Sequence, residues 1–316
     1  MKAVILAAGL GTRLRPLSHR LPKPLFPILN RPLLGLLLEQ LQVAGFHQIG
    51  INTHHQAAAV QAFVAQHRPV GLQVYLSHEP TILGTGGGLK KLANFLGDQP
   101  FLVINGDILT DLHLTEIYQA HQEPALATLV LHDCPRFNHV WENAAGQIVG
   151  FGHPAPADAV GPPLAFTGVQ VVSPRLLDLM PSGLAFNIID QYREAIAAGE
   201  QVAAHVVQGH FWQDIGTLET YREIHRQLLN GDVPGIARFF PPLTDPWVGA
   251  EVTWGAGVRC AGGVSIGSQV QIGPGVRLQN TVIWDQARID PDLSLTDCIV
   301  GPGAWVRHSA QGQCMV

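Results

Sequence analysis

From Val248 onward an apolar residue followed by a small one returns every six positions: Val248-Gly, Trp254-Gly, Cys260-Ala, Ile266-Gly, Ile272-Gly. Neither a helix nor an ordinary strand has that period. It marks a parallel β-helix of hexapeptide repeats, in which the apolar residue points inward at each corner and the small residue permits the turn. The pattern slips between Leu278 and Trp284 and resumes in part at Ile289, Leu295 and Val300.

Ahead of the repeats the chain has a different rhythm. Short apolar runs at Val4–Ala8, Ile49–Asn52, Gln73–Leu76 and Phe101–Ile104 alternate with helical patterns at Pro32–Val43, Gln56–Gln66 and Leu89–Phe95. Such alternation predicts an α/β fold with a mainly parallel sheet and flanking helices. Further strands are expected at Ala125–Leu131, Gln147–Phe151, Phe166–Val172 and Val202–Val207, and helices at Ile188–Ala198 and Leu218–Leu229. His153 to Pro163 reads as a surface loop. The expected division is 1–230, a linker at 231–246 carrying Pro234, Pro241 and Pro242, and a β-helix at 247–316.

Bulk properties exclude several classes. The chain has 316 residues, 47% hydrophobic and 14% charged, with net charge -5 and no Lys/Arg block. That balance supports a sizeable core and argues against nucleic-acid binding. Four scattered cysteines give neither a disulfide framework nor a zinc site, and a cytoplasmic setting is expected. The apolar start is too short for a signal peptide and reads as a buried first strand; no membrane span is expected. The 15 histidines include no H-E-x-x-H, and His54-His55 reads as a polar cap before a helix. Trp212, Trp254 and Trp284 read as packing residues.

The stretch Leu6-Ala7-Ala8-Gly9-Leu10-Gly11-Thr12-Arg13-Leu14-Arg15-Pro16-Leu17, followed by Pro22-Lys23-Pro24-Leu25, carries the chemistry. A glycine-bearing turn leaves the first strand, Gly9 and Gly11 let backbone N–H groups approach a polyphosphate, and Arg13 and Lys23 add fixed charge. It is neither a Walker loop nor a full dinucleotide fingerprint. Asp107 terminates an apolar strand, where a parallel sheet presents its ligands.

This stretch resembles the signature of the sugar nucleotidyltransferases, the nucleotide-sugar pyrophosphorylases. The resemblance continues through Gly84-Thr-Gly-Gly-Gly88, Val103-Ile-Asn-Gly-Asp107, Phe166-Thr-Gly168-Val and Trp212-Gln-Asp214-Ile-Gly-Thr217, and covers Met1 to about Leu229. The repeats resemble the left-handed β-helix that many members carry. The resemblance implies a Rossmann-like domain and attack of a sugar 1-phosphate oxygen on the α-phosphorus of a nucleoside triphosphate, UTP or GTP, with Mg²⁺ assistance. Arg13 and Lys23 are then catalytic, and Asp107 and Asp214 hold the metal. Ala7, Ala8, Gly9, Gly11, Thr12, Arg13, Glu79, Gly84, Thr85 and Gly86 bind the nucleotide, with Glu79 reading the base and Gly84–Gly88 bringing backbone against it. Asn105, Gly152, Gly168, Asn187 and Asp190 face the sugar, although Asn187 could equally cap a helix. Some members carry Glu-Lys-Pro near position 153; here Gly152-His153-Pro154 leaves open whether His153 assumes the lysine's contact. N-acetylmuramate 1-phosphate uridylyltransferases and mannose- or heptose-1-phosphate guanylyltransferases both resemble the chain.

Two other readings compete. A non-catalytic regulatory subunit of the same fold would tend to lose Arg13, Lys23, Asp107 or Asp214, and all are present. An acyltransferase tail would need a histidine within a rung, and only His308 lies in the repeats. The β-helix must cover its exposed ends, on the catalytic domain or in a homo-oligomer.

Overall fold

Residues Ala3, Val4 and Ile5 have no exposed surface and lie at the centre of the seven-stranded sheet that organises the first part of the molecule. The structure is a computed structural model describing Met1–Val316. The strands are β1 (Lys2–Leu6), β2 (Gln48–Thr53), β3 (Gln73–His78), β4 (Phe101–Asn105), β5 (Ala127–His132), β6 (Ala165–Val172) and β7 (Val202–Val206). Their order across the sheet is β7-β5-β6-β4-β1-β2-β3. Every pairing is parallel except the two made by β6, which runs antiparallel to β4 and β5. The near-continuous apolar runs are explained by this placement, since a parallel sheet is covered on both faces.

The connecting helices are α1 (Leu33–Val43), α2 (Ala57–His67), α3 (Gly84–Lys91), α4 (Ile188–Ala197) and α5 (Leu218–Asn230). Two expectations need correction. The helix placed at Leu89–Phe95 begins at Gly84 and stops at Lys91, with a separate turn at Ala93–Leu96. Its glycines have poor helix propensity, so pattern reading skipped them; their tertiary neighbours, described below, require them. The histidines before α2 do not cap it: Gln56 holds the N-cap position and no side chain makes the capping hydrogen bond, and His54 Nδ1 lies 2.7 Å from the Glu79 carbonyl. The short helices Leu114–Ala120, Pro174–Leu179 and Pro234–Ala237 are too brief to leave a period.

The chain divides into two compact units. One comprises Met1–Gly9, Leu37–Ile108 and Leu112–Trp212; the other Leu10–Leu36, Leu109–Asp111 and Gln213–Val316. The first holds the sheet, with a core that includes Val4, Leu89, Phe101, Val103, Leu129 and Tyr192.

The second unit contains the left-handed β-helix, whose strands form three parallel sheets. Along one face Val248, Ile266, Ile283, Val300 and Met315 are in register. The spacing between these partners is 18 positions at first and then 17, 17 and 15, which is why the six-residue pattern slips after Ile272. Val264, Ile266, Ile272, Leu278, Ile289 and Leu295 fill the interior. The inward reading fails at the first coil: Val248 and Trp254 are 38% and 42% exposed, because no coil precedes theirs. The outward residues of one face, Ser265, Val282 and Ile299, are nevertheless buried. Here the β-helix meets residues 10–36 and α5 of its own unit: Asn30 Nδ2 donates to Ile266 O at 2.8 Å, and Arg222 Nη1 to Asp297 O at 2.8 Å.

Candidate active site

In the sheet unit, the carboxyl ends of β1, β2 and β4 border a cleft of 240 Å³ lined by Leu6, Ala8, Gly9, Asn52, Ile82, Gly84, Thr85, Asn105 and Asp107. This is where an open parallel sheet binds ligands. Of the sequence candidates, Ala8, Gly9, Gly84, Thr85, Asn105 and Asp107 come together here. Leu6, Asn52 and Ile82 were missed; Asn52 had a signal, since it stands at the carboxyl end of β2, one residue before Thr53, much as Asn105 ends β4. Ala7 points its N–H at Asn52 Oδ1, 2.7 Å away.

Glu79 does not read out of this cleft. Its side chain is fully buried, with Oε1 accepting from Asn52 Nδ2 at 2.8 Å and Oε2 from the Leu83 N–H at 2.8 Å. A buried carboxylate must be satisfied by such donors. Its geometry braces: it fixes the 79–83 loop and orients Asn52, which in turn holds Ala7.

The glycines after it also answer to the protein. A Cβ on Gly84 would lie 2.5 Å from Phe186 O, on Gly86 2.1 Å from the Phe186 ring, and on Gly87 2.4 Å from Leu184 O. On Gly88 it would lie 2.6 Å from both Asn52 Nδ2 and Glu79 Oε1. Segment 184–187 is thus strapped across the start of α3, with Gly86 N donating to Phe186 O and Phe186 N to Leu83 O, both at 3.0 Å. Thr85 completes the strap: its hydroxyl donates to Asn187 Oδ1 at 3.1 Å and accepts from Ile188 N at 2.9 Å.

The candidates assigned to the sugar are more dispersed. Asn187 caps α4, accepting from Ile189 N at 3.0 Å. Asp190 is exposed and paired with Arg193 at 2.8 Å. The space over Gly168 is filled by Asn105 and Ile108, since a Cβ there would lie 2.5 Å from each; this glycine seats Asn105. Gly152 has open space and accepts from Trp141 Nε1 at 2.6 Å, and the exposed His153 stands edge-on to that indole with ring centroids 6.0 Å apart. None of Gly152, Gly168, Asn187 and Asp190 lines the cleft. Trp212 packs as expected, donating from Nε1 to Thr167 O at 2.8 Å.

The second unit gathers Arg13, Lys23 and Asp214. Gly11, with φ +61°, leads into the single turn Thr12–Leu14, anchored by buried Leu14 and exposing Arg13. Lys23 opens the turn Lys23–Leu25. Asp214 lies between them: Lys23 Nζ is 3.8 Å from Oδ1, and Arg13 Nη2 is 4.0 Å from Oδ2. A Cβ on Gly216 would lie 2.7 Å from Asp214 Oδ2 and 2.8 Å from Arg13 Nη2, so this cluster closes only over a glycine. Three residues past Asp214, Thr217 caps α5 in a reciprocal box with Thr220. Two cations on one carboxylate leave an excess positive charge, suited to phosphate oxygens. Nowhere do three or more His, Cys, Asp or Glu side chains converge as a ready-made metal cage. No helix is long and apolar enough to cross a membrane.

Comparison with known proteins gives a consistent set of likenesses. Residues 2–140 match the family described as nucleotidyl transferase. A UTP–glucose-1-phosphate uridylyltransferase of Synechocystis is 32% identical over 95% of this chain and 87% of that protein. A mannose-1-phosphate guanylyltransferase of Mycobacterium tuberculosis is 30% identical over 91% of this chain and 81% of that protein. Among solved structures, HddC from Yersinia pseudotuberculosis, complexed with GMP-PN, shares the fold with a TM-score of 0.61 at 24% identity, covering 71% of this chain and 97% of its own.

Proposed function

The chain belongs to the nucleotidyl transferase family as a sugar-1-phosphate nucleotidyltransferase, and from that premise we propose that it takes UTP or GTP as donor, with Mg²⁺, through the residues assembled above. The donor reading rests on full-length relatives named as uridylyl- and guanylyltransferases. The sheet cleft, with Ala8, Gly9, Gly84 and Thr85 at its rim, takes the nucleoside. Asn105 faces the sugar and Asp107 the reacting phosphates.

A sugar phosphate oxygen attacks the α-phosphorus, the bond from that phosphorus to the bridging oxygen breaks, and pyrophosphate leaves with the electron pair. The nucleophile is already anionic, so the protein's task is positioning and neutralisation of charge. Arg13 holds the outgoing phosphates and Lys23 the α-phosphate and sugar phosphate. Asp107 and Asp214 would hold Mg²⁺. Carboxylate oxygens are the donors that a hard divalent ion takes alongside phosphate oxygens and water. When bound, the ion supplies charge neutralisation at the triphosphate. A homo-oligomer through the β-helix remains part of the reading, and light scattering of the full chain checks it.

The observation that carries the residue assignment is Asp214 held between Lys23 and Arg13 over Gly216. The test is pyrophosphate release with Mg²⁺, crossing UTP, GTP, dTTP, CTP and ATP against glucose, mannose, N-acetylglucosamine, N-acetylmuramate and heptose 1-phosphates. Turnover with UTP or GTP, lost in Asp107→Asn and Asp214→Asn, supports the assignment. Turnover unaffected by both substitutions refutes it.

A further inference from the structure

Lys23 stands in a poor place to be held by backbone alone. In the segment Pro22–Pro27, residues 22, 24 and 27 are prolines and offer no N–H. The turn carrying Lys23 is closed by two local bonds, Leu25 N to Pro22 O at 2.8 Å and Phe26 N to Lys23 O at 3.0 Å, and Phe26 O accepts from Leu33 N at 3.0 Å. Side chains from elsewhere in the unit supply what the backbone lacks. Phe26, fully buried, meets the Trp284 ring edge-on at 4.9 Å and the Tyr221 ring at 5.5 Å. Trp284 belongs to the β-helix, immediately after the strand Val282–Ile283, and is 3% exposed. Its Nε1–H donates to Tyr221 Oη at 2.9 Å, and Tyr221 Oη–H donates to Pro27 O at 2.6 Å.

These contacts form a directed chain of buried donors that starts in the β-helix and ends on the carbonyl four residues beyond Lys23. Burial pushes the Tyr221 phenol well above its ordinary range, so the hydroxyl stays protonated and keeps donating. Tyr221 also sits in the first turns of α5, seven residues after Asp214 and four after the Thr217 cap. One residue thus relates both partners of the Lys23–Asp214 pair, Lys23 through Phe26–Pro27 and Asp214 through the start of α5.

We propose that Trp284 is a positioning residue of the transfer reaction: acting through Tyr221, the β-helix fixes the Phe26–Pro27 corner and thereby the place of the Lys23 ammonium. This rests on the assignment of Lys23 made above. The β-helix is, on this account, part of the catalytic apparatus, and its first contribution to rate is one indole N–H.

The test is steady-state pyrophosphate release by the full chain carrying Trp284→Phe, Tyr221→Phe, Lys23→Met, Trp284→Phe with Tyr221→Phe, or Trp284→Phe with Lys23→Met. Circular dichroism and the thermal midpoint are read on each. Trp284→Phe keeps an aromatic ring for Phe26 while removing the donor and the second ring of the indole. We expect it to lower kcat about 5- to 10-fold, the scale of one buried hydrogen bond, with the nucleotide KM within about twofold. Adding Trp284→Phe to Tyr221→Phe is expected to cost nothing further, because both act along one chain. Adding it to Lys23→Met is likewise expected to cost nothing further. A folded Trp284→Phe enzyme with full kcat, or one that loses the same factor with or without Lys23, overturns the proposal. A Lys23→Met enzyme with undiminished turnover overturns the assignment of Lys23 instead. Should Trp284→Phe fail to fold, Tyr221→Phe, which retains its ring, makes the same comparison against Lys23→Met.

Discussion

Gly88→Ala sets two effects against each other at one helical position. Within α3, alanine is favoured over glycine by about 1 kcal/mol, so propensity alone makes this substitution stabilising. The new methyl, however, would lie 2.6 Å from Asn52 Nδ2 and 2.6 Å from Glu79 Oε1, two atoms that are themselves hydrogen-bonded at 2.8 Å. An ordinary contact needs roughly 3.4 Å or more, so each must retreat by most of an ångström and their bond opens. Glu79 is fully buried, and losing a hydrogen bond to a charged group costs about 1.5–3 kcal/mol. The steric term wins, leaving a net loss of about 0.5–2 kcal/mol. For a domain of this size that is a fall of roughly 1–8 °C in the thermal midpoint. Because Asn52 also receives the Ala7 N–H at the cleft, the nucleotide KM should rise with it. Differential scanning calorimetry of the purified variant beside steady-state kinetics reads both. A midpoint equal to or above that of the parent would show that the Glu79–Asn52 brace is not what reserves position 88 for glycine.

Gly9→Ala should behave in the opposite way: its Cβ meets no protein atom within 4 Å, so the midpoint should stay within about 1 °C while the nucleotide KM rises about tenfold or more; a KM left unchanged would remove Gly9 from the ligand path. Gly216→Ala drives a methyl between Asp214 and Arg13, and kcat for pyrophosphate release should fall on the order of 10- to 100-fold; full activity would mean that their apposition is dispensable. His225 is buried, its Nδ1 2.8 Å from Tyr221 O and its Nε2 3.1 Å from Pro27 O, and burial lowers its pKa from the usual 6.5 to about 4. The unfolded chain therefore takes up the proton first, and the stability contributed by neutral His225 is complete above pH 6.5 and is lost as pH falls from there towards 4, by on the order of 3 kcal/mol. Urea midpoints at pH 7.5 and 4.5 should show a shallower acid loss in His225→Gln than in the parent; equal losses would contradict the burial argument.

What the sequence disclosed follows from how local each signal is. A β-helix whose corners recur about every six residues writes that period into the chain whatever surrounds it, and it was legible for that reason. Buried parallel strands are written as apolar runs, so β1, β2 and β4 were legible, and with them the carboxyl edge where Gly9, Asn105 and Asp107 stand. The antiparallel insertion of β6 between β4 and β5 left no mark, because strand direction is set by partners and not by residue pattern. Nor did the Trp284–Tyr221–Pro27 chain, whose members lie 63 and 194 positions apart.

The glycines show where such reading stops. Gly9, Gly84, Gly86, Gly87, Gly88 and Gly168 look alike in the sequence, and a glycine-rich turn suggests the same explanation for each, namely room for a ligand. Their Cβ neighbours separate them. Only Gly9 among these six has open space where a side chain would be. The other five are occupied from within, by the strap at 184–187, by the Asn52–Glu79 pair and by Asn105. The strap lies about a hundred residues downstream of the turn it covers, and Glu79, whose charge marks it in sequence as a reader of ligand, is spent on holding the loop in place. A ligand-facing glycine and a protein-facing one impose the same requirement on the chain, the absence of a Cβ; which of the two is present is a property of the far side of the contact, and that side is written elsewhere in the sequence.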